Sequence, residues 1–503
     1  MRAKNCFYKY FSPVLCLFSS EKCSIFARTK MTIMPSIIAR KKELSDLNHF
    51  LKSGKAEFVA LYGRRRVGKT YLVTNFFRNS FAFDTTGILE GTKTEEMEAF
   101  YTSLLNYGYE GPCPSRWMEA FNILRTLLEP KLKRSRVVVF IDELPCFDTP
   151  RSGFVKALDY FWNSWASRQS NFFLIVCGSA TSWMVKNLID SRGGLHNRVT
   201  HEMHLRPFNL KETEAYLKAM KIDWDRLSIL HIYMILGGIP YYLNLLRREE
   251  SPTANIDRLF YGPQAELKGE YTRLYKSLFR SPEKYMAIVK ALAKTKKGLS
   301  RKELVDSLAL QENGHLSQML EDLVNCDFIR YFNVAGKESN GGFYQLTDFY
   351  THFYLDHGSK RTKDALYWTH RTNTPEQNTW FGLAFERVCS EHVPQILKAI
   401  GVDRIKAEYY SWRSEDSTPK CQIDLIIDRA DGIITLCEMK YSAYDYLLSS
   451  AEASKISSRI ASFSEETGTR KGIQVALITT YGLKAGKNNA IIQDTVTIDD
   501  LYR

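Results

Sequence analysis

The sequence has no long apolar run and no closely spaced pair of cysteines. These two absences argue against a membrane-spanning protein, a disulfide-stabilised protein and a zinc protein. No apolar run reaches the ~18 residues that a membrane-spanning helix needs. Ten cysteines are present, but none forms a C-x-x-C pair or has the Cys/His spacing of a zinc site. Cys177 and Cys437 lie inside apolar runs typical of buried strands. Free thiols in a reducing compartment explain this usage best, so we expect a cytoplasmic protein without membrane contact.

The chain also lacks a strong excess of one charge outside its first residues. Its 503 residues are 44% hydrophobic and 25% charged, as in soluble globular proteins. This length suggests three domains at ~150 residues each. The formal net charge is +13, but residues 1–34 carry six Lys and Arg against one Glu and so contribute +5. The remaining +8 is compatible with nucleic acid without requiring it.

The first 34 residues lack the features of a complete signal peptide. Positive charges precede the apolar residues 14–18, but this run is shorter than the ~7–15 residues that a signal peptide needs. No clear small-residue cleavage site follows, and Met31 and Met34 stand just before a globular-looking start. We expect residues 1–34 to be a disordered extension, and the sequence leaves open whether Met1 is the true start.

The most specific motif is Gly63-Arg64-Arg65-Arg66-Val67-Gly68-Lys69-Thr70, which fits G-x-x-x-x-G-K-[ST] without a mismatch. An apolar run over residues 58–62 precedes it and a helical pattern over residues 71–77 follows it. This is the strand, loop and helix order that a phosphate-binding loop requires. An ordinary βα turn that meets the pattern by chance is the alternative.

Four residues of this motif have distinct roles in binding a nucleotide. Gly63 and Gly68 let the backbone curl so that successive N–H groups point at phosphate oxygens. Lys69 reaches the outer phosphates at the start of a helix, and Thr70 offers its hydroxyl to Mg²⁺. The motif therefore predicts that the whole loop, including Val67, binds ATP together with Mg²⁺.

A second apolar run leads directly into Asp142 and Glu143. Such a run is typical of a central parallel strand with carboxylates at its C-terminal tip. Asp142 can hold Mg²⁺ through its waters, and Glu143 can orient or deprotonate the attacking water. Many solvated strand ends carry Asp-Glu by chance. Downstream of a complete phosphate loop, however, the pair indicates hydrolysis of ATP.

Two further residues are candidates for contact with the phosphates. Ser179 ends a third apolar run and would lie beside the γ-phosphate if that strand neighbours the strand of the phosphate loop. A helix N-cap is an equally good interpretation of Ser179. Arg198 closes a Gly-rich loop, and we favour it as a phosphate contact over Arg192. An exposed solubilising arginine is the alternative for Arg198.

The segment Gly237-Gly238-Ile239-Pro240-Tyr241-Tyr242-Leu243 adds a resemblance to a known family. With residues 63–70, 138–143 and 178–179, it resembles the prokaryotic AAA-type ATPases that are close to the STAND class and to archaeal ATPases. The resemblance covers roughly residues 38–246. It implies a nucleotide switch with a helical lid, in which Pro240 lines the adenine side of the pocket. A nucleotide-dependent homo-oligomer remains open.

The run Arg64, Arg65 and Arg66 places three cations beside the expected phosphates and is one departure from this family, although Arg-Arg at this place is familiar in it. A winged helix-turn-helix is predicted after the lid, from three helical patterns and two strands. Its third helix, which would read DNA, contains no Lys or Arg. Protein packing is therefore favoured slightly over DNA contact there, and DNA stays a partner to test.

Four residues near the C terminus suggest a second site. Glu438 and Lys440 are two apart in a predicted strand and so share a face, which Asp424 on the preceding strand can share. Asp424 and Glu438 would hold Mg²⁺, and Lys440 would position water for phosphodiester hydrolysis. The pattern resembles the PD-(D/E)XK nuclease superfamily, with Glu386 as the preceding helical carboxylate. A solvated sheet face or an inactive nuclease descendant is the alternative.

The sequence thus predicts an α/β protein with a P-loop NTPase parallel sheet, a helical lid, a winged helix-turn-helix and a restriction-endonuclease-like αβ C-terminal domain. The expected segments are 1–34 (extension), 35–206 (ATPase core), 207–280 (lid), 281–357 (winged helix), 358–378 (linker) and 379–503 (nuclease-like domain). This predicted domain organisation is compatible with two functions. One is a Mg²⁺-dependent ATPase switch that gates a DNA nuclease, and the other is an ATP-dependent regulatory or scaffold protein with an inactive nuclease-like domain.

Overall fold

A parallel five-stranded sheet with helices packed against it forms the first part of the chain. The computed structural model describes residues 37–189, 198–295, 298–309, 314–332, 342–414 and 421–503. The extension expected over residues 1–34 lies outside them. The strand order is β2-β3-β4-β1-β5, and each neighbouring pair is parallel. The described elements are α1 (Lys41–Leu51), β1 (Glu57–Tyr62), α2 (Lys69–Phe76), β2 (Phe83–Thr86), α3 (Lys93–Asn106), α4 (Trp117–Leu132), β3 (Val137–Asp142), α5 (Leu144–Phe147), α6 (Phe154–Ser164), β4 (Phe172–Gly178), α7 (Thr181–Met184) and β5 (His201–His204).

The three central strands of this sheet are almost entirely buried. β3 and β4 are apolar over nearly their whole length, as expected where helices cover both faces of a parallel sheet. One face packs against Phe100 of α3, Trp117 of α4 and Phe161 of α6. Truncating a buried ring such as Phe100 to alanine would cost about 3–5 kcal/mol. This core fixes the strand tips, where the polar residues lie.

Five helices follow the sheet and form the lid. They are α8 (Leu210–Ala219), α9 (Arg226–Leu236), α10 (Pro240–Leu243), α11 (Pro252–Phe260) and α12 (Glu270–Lys276). α9 is apolar around most of its circumference, and its residues from Ile229 to Leu236 are buried apart from His231. A helix of this kind requires neighbours on several sides. α9 accordingly contacts α8 and α11 and also elements later in the chain.

The next unit has the elements of a winged helix. They are α13 (Pro282–Ala293), β6 (Leu299–Ser300), α14 (Arg301–Leu308), α15 (Gly314–Asn325), β7 (Ile329–Phe332) and β8 (Phe343–Leu346), followed by α16 (Phe349–Phe353). The strands form an antiparallel sheet in the order β6-β8-β7. α15, the helix expected to read DNA or pack on protein, contacts α7 of the first part. α16 packs against α9 of the lid.

The C-terminal part is a second five-stranded sheet between helices. Its described elements are α17 (Pro375–Glu391), α18 (Val393–Ala399), β9 (Ala407–Arg413), β10 (Gln422–Arg429), β11 (Ile433–Lys440), α19 (Ser450–Thr467), β12 (Gly472–Thr479), β13 (Asp494–Val496) and α20 (Ile498–Leu501). The order is β13-β12-β11-β10-β9, antiparallel from β9 to β11 and parallel from β11 to β13. The hairpin β10–β11 and helix α19 were predicted from the sequence, whereas β9 and α18 were not.

Residues 38–503 form one compact unit by their internal contacts. The domain boundaries expected within this range therefore remain predictions. In the part of the chain that the structure describes, no helix is long and apolar enough to cross a membrane.

Candidate functional site

The phosphate loop follows β1 and depends on two glycines with positive φ. Gly63 has φ 146°, and a Cβ at this position would lie 2.3 Å from the backbone oxygen of Leu205. Gly68 has φ 90° and is the N-cap of α2. Side chains other than hydrogen are strained at such angles. The loop therefore requires glycine at both positions.

Lys69 is buried in the centre of this loop. Its Nζ donates hydrogen bonds to the carbonyl oxygens of Gly63 (2.8 Å) and Arg64 (3.1 Å). Burial lowers the pKa of Lys69, against the opposing effect of Glu143 and Asp142. Among the described residues its hydrogen-bond partners are neutral carbonyls, so the ammonium lacks a bonded counter-charge. Such a cation favours the approach of an anion such as a phosphate.

Thr70 and Asp142 form the pair expected to hold Mg²⁺. The Thr70 hydroxyl donates to Oδ2 of Asp142 at 2.6 Å, and the backbone N–H of Glu143 donates to Oδ1 at 3.0 Å. Burial raises the pKa of Asp142, and the hydrogen bond from Thr70 opposes this effect. A hydroxyl and a carboxylate at the mouth of the loop are hard oxygen donors of the kind that Mg²⁺ prefers. The residues present therefore fit a nucleotide with Mg²⁺.

Glu143 and Ser179 lie on neighbouring strand tips. β4 pairs with β1 on one side and with β3 on the other. The strand before Ser179 is therefore next to the strand of the phosphate loop, as a contact of Ser179 with the γ-phosphate requires. The Ser179 hydroxyl donates to Oε1 of Glu143, and its backbone N–H donates to Oε2 at 3.1 Å. Glu143 itself has φ 45°, an uncommon angle for a residue other than glycine. These bonds hold the carboxylate at the carboxyl edge of the sheet.

The side chains of two of the three loop arginines differ from the expectation that they stand beside the phosphates. Arg64 Nη1 donates to Oδ1 of Asp348 at 2.5 Å, and Arg64 is only 2% exposed. Arg66 Nε lies 2.7 Å from Oε1 of Glu270. Arg65 is paired with no carboxylate in the described part of the chain. The backbones of these residues still form the loop, whereas two of the three guanidinium groups point to other elements.

The Gly-Gly-x-Pro segment lies against the phosphate loop. A Cβ on Gly238 would sit 1.8 Å from the backbone oxygen of Phe208, which explains why glycine is needed there. Pro240 begins α10, and the N–H of Tyr241 contacts the carbonyl oxygen of Arg66 at 3.4 Å. This contact brings Pro240 next to the loop. Its contact with adenine stays a prediction.

Three residues of this site were missed in the sequence. Asp348 and Glu270 bind the loop arginines, and Arg40 donates from Nη2 to the carbonyl oxygen of Val67 at 3.2 Å. None belongs to a motif, and all lie far from the loop in sequence. Arg40 follows the globular start, but a lone buried arginine there has no local signal.

Arg198 lies at the wrong edge of the sheet to touch a phosphate, which corrects the expectation for this residue. β5 runs parallel to β1, and the N–H of Thr200 donates to the carbonyl oxygen of Phe58 at 2.8 Å. Arg198 therefore precedes the amino end of β5, whereas Gly63 follows the carboxyl end of β1. A strand of this length separates the two edges by about 3.3 Å per residue. Arg198 is exposed, which agrees with its alternative interpretation as a solubilising surface arginine.

The four residues of the expected nuclease site do not converge as predicted. Glu438 faces α19, and Nη1 of Arg459 in that helix lies 2.5 Å from Oε2 of Glu438. Nζ of Lys440, on the same strand as Glu438, lies 2.8 Å from Oε1. Asp424 and Glu386 instead line a cavity with Arg330. Within the described residues, no group of three His, Cys, Asp or Glu could hold a metal. Glu438 thus lies on the α19 side of the sheet and Asp424 on the α17 side, so the two carboxylates expected to hold Mg²⁺ face away from each other.

A β-bulge explains why these residues separate. Ile423 pairs with Trp412 and Ile426 pairs with Tyr410, so β10 has one more residue than β9 between these pairs. Ile423 and Ile426 both face the apolar cluster that contains Phe463 of α19. The extra residue turns Asp424 away from that face, because side chains no longer alternate across a bulge. Asp424 thus lies on the side of α17.

Residues 37–246 match a family described as an ATPase domain predominantly from Archaea. This region is an ATPase-like P-loop domain. The match covers the phosphate loop, both acidic residues and the lid helix α10, and it ends before the winged helix. The chain is accordingly an ATP-binding ATP hydrolase.

Several proteins resemble larger shares of the chain. The uncharacterized protein MJECL04 of Methanocaldococcus jannaschii is 24% identical over 373 residues, which are 72% of this chain and 78% of that protein. Among solved structures, the Walker-type ATPase Paby2304 of Pyrococcus abyssi covers 63% of this chain and 96% of its own, at 20% identity and a TM-score of 0.46. The Aeropyrum pernix ORC2 protein, in ADPNP–ADP complexes, covers 72% and 98% at 12% identity and a TM-score of 0.41.

Proposed function

We propose that this ATPase is a nucleotide-dependent switch, in which the state of the phosphate loop sets the position of the lid. The observation that carries the proposal is the attachment of Arg66 to the lid. Its Nε lies 2.7 Å from Glu270, and its guanidinium carbon lies 3.9 Å from the centre of the Tyr241 ring. One residue of the loop thus contacts both α10 and α12.

The lid end of this contact is buried and hydrogen-bonded. Glu270 is 1% exposed, and its Oε1 also accepts a hydrogen bond from the hydroxyl of Tyr242 at 3.2 Å. Tyr242 is buried and packs against Tyr350, with ring centres 4.9 Å apart and ring planes tilted by 39°. Buried polar groups of this kind strongly favour one arrangement, because an unpaired one is costly. A shift of the loop on binding phosphates would therefore move the lid with it.

In this proposal, the residues of the site divide phosphate binding, Mg²⁺ binding and orientation of the attacking water among them. Lys69 and the loop N–H groups bind phosphate oxygens, Thr70 and Asp142 would hold Mg²⁺, and Glu143 orients the attacking water. Bound Mg²⁺ would supply neutralisation of phosphate charge. Ser179 fixes the carboxylate of Glu143 through two hydrogen bonds.

The C-terminal domain is proposed to have a regulatory or scaffolding role rather than to cut nucleic acid. Glu438 is paired with Lys440 and Arg459, which occupy both of its oxygens. A carboxylate held by two cations is a poor ligand for a third. The nuclease remains the second candidate, because Glu438 and Lys440 lie side by side on β11 as that chemistry requires.

Hydrogen exchange on the full-length protein tests the switch. With ATP and Mg²⁺ we expect the amides of α10 and α12 to exchange more slowly in the wild type, and Glu270→Gln to lose most of this protection while still binding ATP. Glu250→Gln is the matched control, because Glu250 pairs with Arg258 inside the lid and not with the loop. Equal protection in wild type and Glu270→Gln would refute the switch.

Plasmid DNA with Mg²⁺ or Mn²⁺, with and without ATP, separates the two roles of the C-terminal domain. We expect no cleavage by the wild type under any of these conditions. Nicking that disappears in Lys440→Ala, while ATP still binds, would instead establish the gated nuclease. Lys69→Ala run in parallel shows whether such cleavage depends on the nucleotide.

A further inference from the structure

The phosphate loop is also held from outside the ATPase domain, by Asp348 at the end of the winged-helix unit. Asp348 lies beyond residues 37–246, where the family match ends. Its Oδ1 accepts a hydrogen bond from Nη1 of Arg64 at 2.5 Å. Both residues are at least 95% buried. An ion pair in such a place is strongly coupled, since each partner would otherwise be an uncompensated buried charge.

Arg64 has few other partners to hold it. In the described structure, its Nε and Nη2 are buried without a hydrogen bond, and its guanidinium carbon lies 4.8 Å from the Phe328 ring. Burial alone would lower the pKa of Arg64, but Asp348 raises it above its ordinary value. The side chain thus stays charged and depends on Asp348 for its position.

Asp348 in turn is fixed at the start of α16. Its Oδ2 accepts hydrogen bonds from the N–H (3.1 Å) and the hydroxyl (2.5 Å) of Thr351. α16 is buried over all five residues, and its first ring, Phe349, packs on Tyr233 of α9. The carboxylate therefore has little freedom to follow a displaced arginine.

The anchored arginine also supports the lysine that binds phosphate. The carbonyl oxygen of Arg64 accepts one of the two hydrogen bonds from Nζ of Lys69. We propose that Asp348 is a positioning residue for ATP: by fixing Arg64, it orients the loop carbonyl that aims Lys69 at the phosphates. The winged-helix unit thereby sets the nucleotide affinity of a loop that lies in another part of the fold. This inference concerns affinity for ATP and does not depend on the movement of the lid.

Titration of the full-length protein with ATP tests this role. Asp348→Asn keeps an oxygen that can cap α16 but removes the charge, and we expect it to raise the Kd for ATP about tenfold or more. Arg64→Gln breaks the pair from the other end and leaves the cap intact, so it should raise the Kd by a similar factor. The double variant should be no weaker than either single variant, because both remove one interaction.

A matched control separates positioning from general destabilisation. Asp257 is 2% exposed and accepts hydrogen bonds from the N–H groups of Trp368 (2.7 Å) and Thr369 (3.1 Å), away from the loop. Asp257→Asn should lower the melting temperature as Asp348→Asn does but keep the Kd of the wild type. A Kd within twofold of the wild type in Arg64→Gln, or an equal rise in Asp257→Asn, would overturn the proposal. If Asp348→Asn does not fold, Arg64→Gln alone decides the matter.

Discussion

Ser179 holds Glu143 by both oxygens of its carboxylate, through its hydroxyl and through its backbone N–H. The two residues follow strands β4 and β3, which are neighbours in the sheet. Glu143, which we propose orients the attacking water, is therefore tied to the strand next to that of the phosphate loop.

Removing the Ser179 hydroxyl should slow hydrolysis without weakening ATP binding. Ser179→Ala loses a hydrogen bond to a charged group, worth about 1.5–3 kcal/mol, so we expect kcat to fall about tenfold or more. Kd for ATP should stay within about twofold, because in the described structure the Ser179 hydroxyl donates to Glu143, whereas Lys69 is held by the carbonyl oxygens of Gly63 and Arg64. Steady-state ATPase rates and titration measure the two quantities. Ser182→Ala is the control, and an unchanged kcat in Ser179→Ala would contradict the assigned role.

The dependence on Mg²⁺ should reside in Asp142. Asp142→Asn removes the negative charge that pairs with the Thr70 hydroxyl, and we expect ATP hydrolysis to fall about 100-fold or more, since a bound metal contributes several kcal/mol. ATP titrations with Mg²⁺ and with EDTA should give nearly the same Kd in the variant but not in the wild type. Asp148→Asn should behave as the wild type, because Asp148 binds the indole N–H of Trp183 instead. A full Mg²⁺ effect in Asp142→Asn would refute the assignment.

The ion pairs of Glu438 should contribute little to either activity or stability. Glu438, Lys440 and Arg459 are 17%, 31% and 32% exposed, so water screens their attraction. Glu438→Gln should change the free energy of unfolding by about 1 kcal/mol or less and leave ATPase activity unchanged. Urea unfolding and ATPase assays check this. A large loss of ATPase activity would mean that the C-terminal domain acts directly on the nucleotide site.

The parts of the site that rest on local chemistry were accessible from the sequence. The two glycines, Lys69 and Thr70 lie in one motif, and the motif fixes their order along strand, loop and helix. A position of Ser179 beside the γ-phosphate requires β4 to neighbour β1, and the two strands do pair in the sheet. Arg198 could have been excluded from the sequence, because a residue before a parallel strand lies at the edge opposite the phosphate loop.

No sequence motif indicated the contacts between the phosphate loop and residues far from it in the chain. Asp348 and Glu270 each look like ordinary carboxylates at helix starts, and only the packing of the lid and α16 brings them to Arg64 and Arg66. The bulge that turns Asp424 away from Glu438 depends on the pairing of β10 with β9, a strand that the sequence pattern did not reveal. Alternation along a strand predicts a shared face only when the register is unbroken.

The stability of the first part should depend on pH through Glu96 of α3. This carboxylate is fully buried, and burial raises its pKa to about 7, although the N–H of Ile88 donates to it. The folded protein therefore keeps a proton that the unfolded chain releases near its ordinary pKa of about 4.3. Stability should then fall as the pH rises from about 4.5 to about 7 and level off above that.

Urea unfolding across this pH range checks the effect of Glu96. Glu96→Gln mimics the protonated side chain at every pH, so the variant should lose the fall in stability that the wild type shows between about pH 5 and about pH 7. Glu98→Gln on the exposed face of the same helix is the control and should keep the wild-type slope. Parallel curves for wild type and Glu96→Gln would mean that Glu96 is already ionised in the folded protein, with its charge held by the N–H of Ile88 alone.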